Sequence, residues 1–144
     1  MLLIFDSLLT LGILSNEWLG RGAPTQEDRN TASMRMYSST AQRFGDWSLV
    51  QELLKTLDAV AANVRNDGRC DKANISNIAQ RYVLETPAVA SVLIGVRNQN
   101  HLAENVRTHS FQLNQDERAA IDAVVAKRKG PTGDVWDIER GSMK

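Results

Sequence analysis

The chain has 144 residues, of which 42% are hydrophobic and 24% charged, with 17 basic and 17 acidic side chains. This length allows at most one ordinary domain, and the composition excludes a collagen-like, low-complexity or intrinsically disordered chain. A formal charge of zero provides no field that would favour nucleic acid or an anionic membrane surface.

The N-terminal stretch, residues 1–14, is apolar but is interrupted by Asp6. It is shorter than the roughly 20 apolar residues that a membrane-spanning helix requires, and it lacks the basic start and small-residue cleavage site of a signal peptide. We therefore expect no membrane partner and predict a buried strand at Leu2–Phe5, of the kind found in covered parallel sheets. A chain that begins in such a strand also leads us to expect a missing upstream segment. Residues 20–30 follow as an irregular loop.

Helical spacing predicts two helices in the middle of the chain. The first begins after Asp46, a suitable N-cap, and ends at residues 66–68. Its apolar stripe comprises Val50, Leu53, Leu54, Leu57, Val60, Ala61 and Val64. The second ends near Leu84, because Pro87 prevents its continuation. Its core-facing residues are Ile75, Ile78, Ala79, Tyr82 and Val83.

A short apolar run, Ala88–Ile94, predicts a second buried strand that is closed by Gly95. Asn98 is a suitable cap for a short helix, and Asn114 with Glu117 has the spacing of a capping box at the start of a last helix. The last helix is expected to bury Ala120, Ile121, Val124 and Val125. The alternation of strands and helices indicates a parallel α/β architecture.

The turn from this strand into the short helix is the segment that carries chemistry. Unpaired backbone N–H groups at a helix start favour a phosphate, and Arg97 adds a planar donor fork. Glu104 and Asn105 offer an acceptor and an amide to the edge of a purine. Strand-glycine-helix turns are common, so phosphate binding and an ordinary solvated turn both remain open on spacing alone.

Other candidate residues favour structural roles. Trp18, Trp47 and Trp136 are expected to be core residues because no basic stripe lies between them. Tyr82 is expected to be a packed phenol, and the lone Cys70 indicates a reducing, cytoplasmic location without a disulfide. His101 and His109 lack a zinc signature, so we predict no metal site.

Five separated segments of the chain resemble the aldo-keto reductase family, in the order in which the family carries them. They are Leu11–Gly20, Asn30–Tyr37, Gly45–Leu54, Ile78–Val89, and Ile94–Arg97 with Glu104 and Asn105. Together they cover nearly all of the sequence. The resemblance implies an α/β fold, a partial (β/α)8 TIM barrel made of the C-terminal strands and helices only, with residues 1–144 as the C-terminal portion of the domain.

The resemblance also implies NADP as cofactor and a small carbonyl compound as substrate. Positions that match the adenosine and 2′-phosphate end are Gly95, Val96, Arg97, His101, Glu104 and Asn105. Leu9 and Gly12 match positions beside the pyrophosphate. His101 stands where the family often has Gln.

The family's catalytic Asp, Tyr, Lys and His come from the half that precedes this portion, and we assign none of them here. Three functions therefore remain open: an NADP(H)-dependent oxidoreductase for aldehydes or ketones that needs the other half, a non-catalytic nucleotide-binding or regulatory module, and a truncated inactive product. Unpaired strands of a partial barrel would also favour self-association.

Overall fold

The computed structural model describes residues 12–87, 89–92, 94, 96 and 99–130. This part of the chain forms five α-helices: α1 (Ala32–Phe44), α2 (Trp47–Asn66), α3 (Ile75–Leu84), α4 (Gln99–Val106) and α5 (Gln115–Val125). Short 3₁₀ turns lie at Asn16–Trp18 and Arg107–His109. None of the helices in these ranges combines the length and apolar character that a bilayer crossing requires.

Helix α2 is the centre of the core and packs against α1, α3 and α5. Every residue of its predicted apolar stripe is buried, which confirms the helix and its inward face. Asp46 occupies the predicted N-cap position, but its side chain makes no cap hydrogen bond. Its carboxylate instead accepts a hydrogen bond from Lys129 Nζ at 3.2 Å.

Helices α3 and α5 are also confirmed, and each begins with a reciprocal capping box. Asn114 and Glu117 form the predicted box of α5, whereas the box of α3, formed by Asn74 and Asn77, was not predicted. The five expected core residues of α3 are buried, as are Ile121, Val124 and Val125 of α5. Ala120 is exposed, contrary to prediction.

Helix α1 was not predicted, because its residues show no apolar stripe at helical spacing. Thr31 caps it, because its hydroxyl accepts a hydrogen bond from the Met34 amide at 3.1 Å. The hydroxyl of Ser38 donates to the Met34 carbonyl at 2.7 Å, and both Ser38 and Thr40 are buried. Hydroxyls that bond to the preceding turn allow polar residues to lie inside a helix-packed core.

The predicted α/β fold class, a partial (β/α)8 TIM barrel, is wrong for this structure, since the described residues form helices and turns without any β-strand. In the predicted strand Ala88–Ile94, the described positions 89–92 and 94 have no regular structure. Val89 and Val92 pack against the helical core instead, and the Val89 amide donates to the Thr86 carbonyl at 3.1 Å. An apolar run becomes a strand only where adjacent strands pair with its backbone groups. The strand predicted at Leu2–Phe5 lies outside the described residues.

The segment after α5 returns to the junction of α1 and α2. The Lys129 amide donates to the Phe44 carbonyl at 2.8 Å, and Lys127 Nζ contacts Glu52 Oε1 at 2.5 Å. Arg128 reaches the Val125 carbonyl in the last turn of α5 at 3.4 Å. The contacts of Lys127 and Lys129 therefore connect the end of α5 to α2 and to the end of α1.

Trp18 is a core residue, as predicted, whereas Trp47 is partly buried and packs against the core. Trp18 is buried and meets Trp47 edge to face, with ring centroids 5.9 Å apart. The Arg21 guanidinium covers the Trp18 ring at 4.4 Å, and Gln51 Nε2 donates to the Trp18 carbonyl at 2.8 Å. The third, Trp136, lies outside the described residues.

Candidate cofactor site

Helix α4 carries three of the predicted site residues and lies at the surface. None of its residues is buried, and Leu102 and Val106 are 58% and 60% exposed. Val96, which precedes the helix and is also a predicted site residue, is 50% exposed. The helix therefore depends on polar contacts with its neighbours for its position.

A buried polar cluster, formed by Asn77, Gln80 and Thr108, holds the C-terminal half of α4. Asn77 Nδ2 donates to the Glu104 carbonyl at 2.8 Å and to Thr108 Oγ1 at 3.1 Å. Thr108 Oγ1 in turn donates to Gln80 Oε1 at 2.5 Å. Each of the three cluster residues is no more than 3% exposed. Buried amides that are fully paired in this way fix the geometry of the backbone they bind.

Asn105 is anchored by the same cluster. Gln80 Nε2 donates to Asn105 Oδ1 at 2.9 Å, so the acceptor of the Asn105 amide faces α3. The Nδ2 group is then the part of this side chain that can donate to a ligand.

Glu104 and His101 form a half-exposed pair one turn of α4 apart. His101 Nδ1 lies 3.2 Å from Glu104 Oε2, with side-chain exposures of 47% and 41%. The Glu104 carboxylate keeps acceptor capacity beyond this contact, because a carboxylate has about four lone-pair sites. It suits an exocyclic amino group or a ribose hydroxyl.

The second predicted segment, which contains Gly12, reaches the start of the same α3 helix. Gly12 has a φ of 71°, a conformation that favours glycine, and its carbonyl accepts from Ser15 Oγ at 2.7 Å. Ser76 Oγ donates to the Leu14 carbonyl at 2.8 Å, and the Ile75 amide donates to Asn16 Oδ1 at 3.2 Å. The first turn of α3 thus binds the Gly12 segment, while Asn77 next to it binds α4.

Helix α3 therefore contacts α4 at Glu104 and Asn105, and it contacts the segment that contains Gly12 through Leu14 and Asn16. His101 contacts Glu104 on the exposed side of α4, and Val96 is exposed nearby along the chain. The remaining predicted site residues, Leu9, Gly95 and Arg97, lie outside the described residues. Asn77 and Gln80 were not predicted from the sequence. Their signal was two amides three residues apart on a helix whose other inward residues are apolar.

Tyr82, two residues beyond Gln80 on α3, is a packed phenol, as the sequence indicated. Its hydroxyl donates a short hydrogen bond to Asp122 Oδ1. Burial, together with the Asp122 carboxylate, raises the pKa of the phenol well above its usual value. The hydroxyl is thus held in its protonated form by the packing of α3 against α5.

A cationic cleft was likewise not predicted from the sequence. It has a volume of about 600 Å³ and is lined by Gln26, Arg29 and Arg35. Arg35 Nη1 donates to the Arg29 carbonyl at 3.4 Å, and Arg29 Nε is buried without a hydrogen-bond partner among the described residues. Guanidinium groups of this kind can bind a phosphate or carboxylate. In the described ranges, no three His, Cys, Asp or Glu side chains come close enough together to hold a metal ion.

Residues 7–126 match the model of the aldo/keto reductase family. The match covers more than half of the 144 residues, and the chain therefore belongs to the aldo/keto reductase family. Members of this family are oxidoreductases that generally use a nicotinamide cofactor and act on carbonyl substrates. No curated protein and no solved structure matches the chain.

Proposed function

We propose that residues 1–144 are the C-terminal, NADP(H)-binding portion of an aldo/keto reductase, which reduces aldehydes or ketones when the family's catalytic residues are supplied. The observation that carries this proposal is the anchoring of Glu104 and Asn105 by the buried amides of Asn77 and Gln80. Asn77 fixes the backbone of α4 at Glu104, and Gln80 orients the side chain of Asn105, so both residues are held in defined positions at the surface.

The side chains on α4 fit the adenosine end of such a cofactor. Asn105 Nδ2 is a donor for a purine ring nitrogen, and the Glu104 carboxylate is an acceptor for the exocyclic amino group. Gly12, Leu9, Gly95, Val96 and His101 are proposed to line the remainder of the site, and Arg97 to bind the 2′-phosphate. The bound nicotinamide would supply the hydride, while these residues bind and orient the dinucleotide.

The cationic cleft is a second place where positively charged side chains can bind a phosphate of the proposed ligand. The guanidinium groups of Arg29 and Arg35 and the side-chain amide of Gln26 supply hydrogen-bond donors to this cleft, which suits a phosphate. We propose that Arg29 and Arg35 contribute to phosphate binding by this chain.

We assign no residue of the chain to the chemical step. Hydride transfer to a carbonyl requires a proton donor for the developing alkoxide. Tyr82 is unsuited to that task, because it is 4% exposed and its proton is shared with Asp122. The chain alone is expected to bind NADP(H) and not to reduce carbonyl compounds.

Titration of the full chain with NADPH and with NADH, followed by nicotinamide fluorescence, tests the proposal. We expect saturable binding with a preference for NADPH, which Arg97→Ala should weaken more than it weakens NADH binding. Equal losses for both cofactors would remove Arg97 from the 2′-phosphate site. Absence of binding to either cofactor would leave a truncated inactive product as the better description.

An aldehyde-reduction assay separates the other two functions. Turnover on adding a polypeptide that carries the family's catalytic residues would support the reductase. Cofactor binding that never yields turnover under those conditions would support a non-catalytic nucleotide-binding or regulatory module.

We also propose that the chain self-associates and that it is cytoplasmic. Self-association is supported by the exposure of Val96, Leu102 and Val106, large apolar side chains that another surface could cover. Sedimentation across a concentration series should reveal it; a monomer at every concentration would contradict it. The free thiol of Cys70 suits a reducing compartment.

A further inference from the structure

The polar cluster forms a chain of hydrogen bonds whose direction is determined at one end. Asn77 Oδ1 accepts from the Asn74 backbone amide at 3.3 Å, so its Nδ2 group must donate onward. Both onward partners, the Glu104 carbonyl and Thr108 Oγ1, accept from it. The orientation of the Asn77 amide is therefore set by the backbone of α3 and α4.

This direction passes through the cluster to the surface. Thr108 has a single hydroxyl proton, which it donates to Gln80 Oε1 at 2.5 Å while accepting from Asn77. With its oxygen occupied, Gln80 presents Nε2 to Asn105 at 2.9 Å. Asn105 must therefore accept this hydrogen bond with Oδ1, because two amide nitrogens facing each other would leave buried donors unpaired.

We propose that Gln80 is a positioning residue that makes Asn105 offer a donor, rather than an acceptor, to the bound nucleotide. Gln80 is 3% exposed and acts only through Asn105. The inference rests on the proposed function. It explains why the site recognises a ring nitrogen of the base: this nitrogen is an acceptor, and Asn105 is held so that it offers a donor.

The test compares two substitutions that remove the Gln80 amide in different ways. Gln80→Glu keeps the shape but places an acceptor opposite Asn105, which should turn the Asn105 amide over. Gln80→Leu leaves the Asn105 amide without a partner and free to rotate. We expect about a tenfold weaker Kd for NADPH in Gln80→Glu, as in Asn105→Asp, and a smaller loss in Gln80→Leu.

A double-mutant cycle with Asn105→Ala separates positioning from general loss of structure. If Gln80 acts through Asn105, Gln80→Glu should weaken NADPH binding no further in the Asn105→Ala background. An undiminished second loss would overturn the proposal. Tyr82→Phe is the matched control on α3: it removes a buried hydrogen bond and should lower the melting temperature without changing the Kd for NADPH.

NMR of the Asn105 side-chain amide provides a readout that needs no cofactor. In the unsubstituted chain its two protons should be shifted from the positions of a solvated asparagine and protected from exchange with water, and Gln80→Leu should return them to the solvated positions and speed their exchange. Unchanged Asn105 signals in Gln80→Leu would overturn the positioning role. If NADPH binds normally to Gln80→Glu, the positioning role of Gln80 is wrong, but the proposed function is unaffected. If the unsubstituted chain binds no NADPH, the proposed function is wrong, and so is the role of Gln80 in nucleotide recognition.

Discussion

Arg69 and Glu117 form a bidentate ion pair between residues 48 positions apart in the chain. Arg69 Nη1 and Nη2 donate to the two carboxylate oxygens of Glu117 at 3.0 and 2.6 Å. Glu117 is 3% exposed, and its carboxylate also accepts from the Asn114 amide at 2.9 Å. One carboxylate thus caps α5 and attaches the helix to the turn that follows α2.

Glu117→Gln should lower the free energy of unfolding by about 2 kcal/mol, because the Arg69 guanidinium would lose a charged partner while remaining partly buried. Urea unfolding followed by circular dichroism measures this change. Asp67→Asn is the control, since Asp67 contacts the same guanidinium at 2.8 Å but is 57% exposed. It should cost less than about 1 kcal/mol. Equal losses in the two variants would contradict a special role for the buried carboxylate.

The same carboxylate predicts how stability depends on acid. Burial would raise the pKa of Glu117, but the hydrogen bonds from Arg69 and from the Asn114 amide outweigh it and hold the pKa below its usual value. Its contribution is therefore complete above the usual carboxyl pKa and is lost as the pH falls through the lower, folded-state pKa. The difference in unfolding free energy between the unsubstituted chain and Glu117→Gln should shrink between about pH 5 and pH 3. A difference that stays constant over this range would argue against the ion pair.

We expect the hydrogen bond of Tyr82 to make stability depend on pH at alkaline pH. Its pKa is raised by burial and by Asp122, so the folded state holds the phenol proton more tightly than the unfolded state. This stabilisation is complete below the ordinary tyrosine pKa of 10.0 and is lost as the pH rises towards the higher folded-state value. Thermal unfolding of Tyr82→Phe against the unsubstituted chain should reveal a loss of about 1 kcal/mol at neutral pH. That difference should narrow at alkaline pH; a widening one would be inconsistent with the raised pKa.

Trp18→Ala should lower the free energy of unfolding by about 3 kcal/mol, because it removes a buried ring at the contact between the Asn16–Trp18 turn and α2. Near-ultraviolet circular dichroism should also lose the signal of the edge-to-face pair with Trp47. Arg21→Gln removes the cation over the ring together with the exposed ion pairs to Glu17 and Asp28, and it should cost about 0.5 kcal/mol. A small effect of Trp18→Ala would mean that this turn is not part of the cooperative core.

Arg29→Gln and Arg35→Gln should each weaken NADPH binding by about fivefold if the cationic cleft receives a phosphate of the cofactor. Inorganic pyrophosphate should compete with NADPH at this cleft, and less effectively in the two variants. Arg43→Gln is the control, because Arg43 is exposed on the same α1 helix as Arg35 but does not line the cleft. Equal effects of all three substitutions would indicate general electrostatic attraction instead.

The sequence predicted α2 and α3 because their inward-facing apolar residues recur at helical spacing, and every residue of these two predicted stripes is buried. It did not predict α1, because two of the buried residues of this helix, Ser38 and Thr40, are polar. From the sequence alone, such residues are not distinguished from residues at the surface. The apolar run that includes residues 89–92 was wrongly predicted as a strand. Its composition favours a strand, but strand formation depends on partners elsewhere, and the described residues place a helical core beside it.

The candidate site shows the same division. Glu104 and Asn105 were identified from the resemblance of their segment to a known family, and the family match is confirmed by residues 7–126. The buried amides of Asn77 and Gln80, which hold the Glu104 backbone and the Asn105 side chain, lie on a helix more than 20 residues earlier. No local pattern encodes such a contact, since it depends on how α3 packs against α4.

The backbone hydrogen bond between Phe44 and Lys129 has a consequence for biosynthesis. Lys129 lies 85 positions after Phe44, so the hydrogen bond to the last carbonyl of α1 can form only after α5 has been synthesised. A chain that is released before residue 129 would leave the Phe44 carbonyl without this donor. Such a truncated chain should be cleaved faster by proteases than the full chain, which limited proteolysis of the two measures.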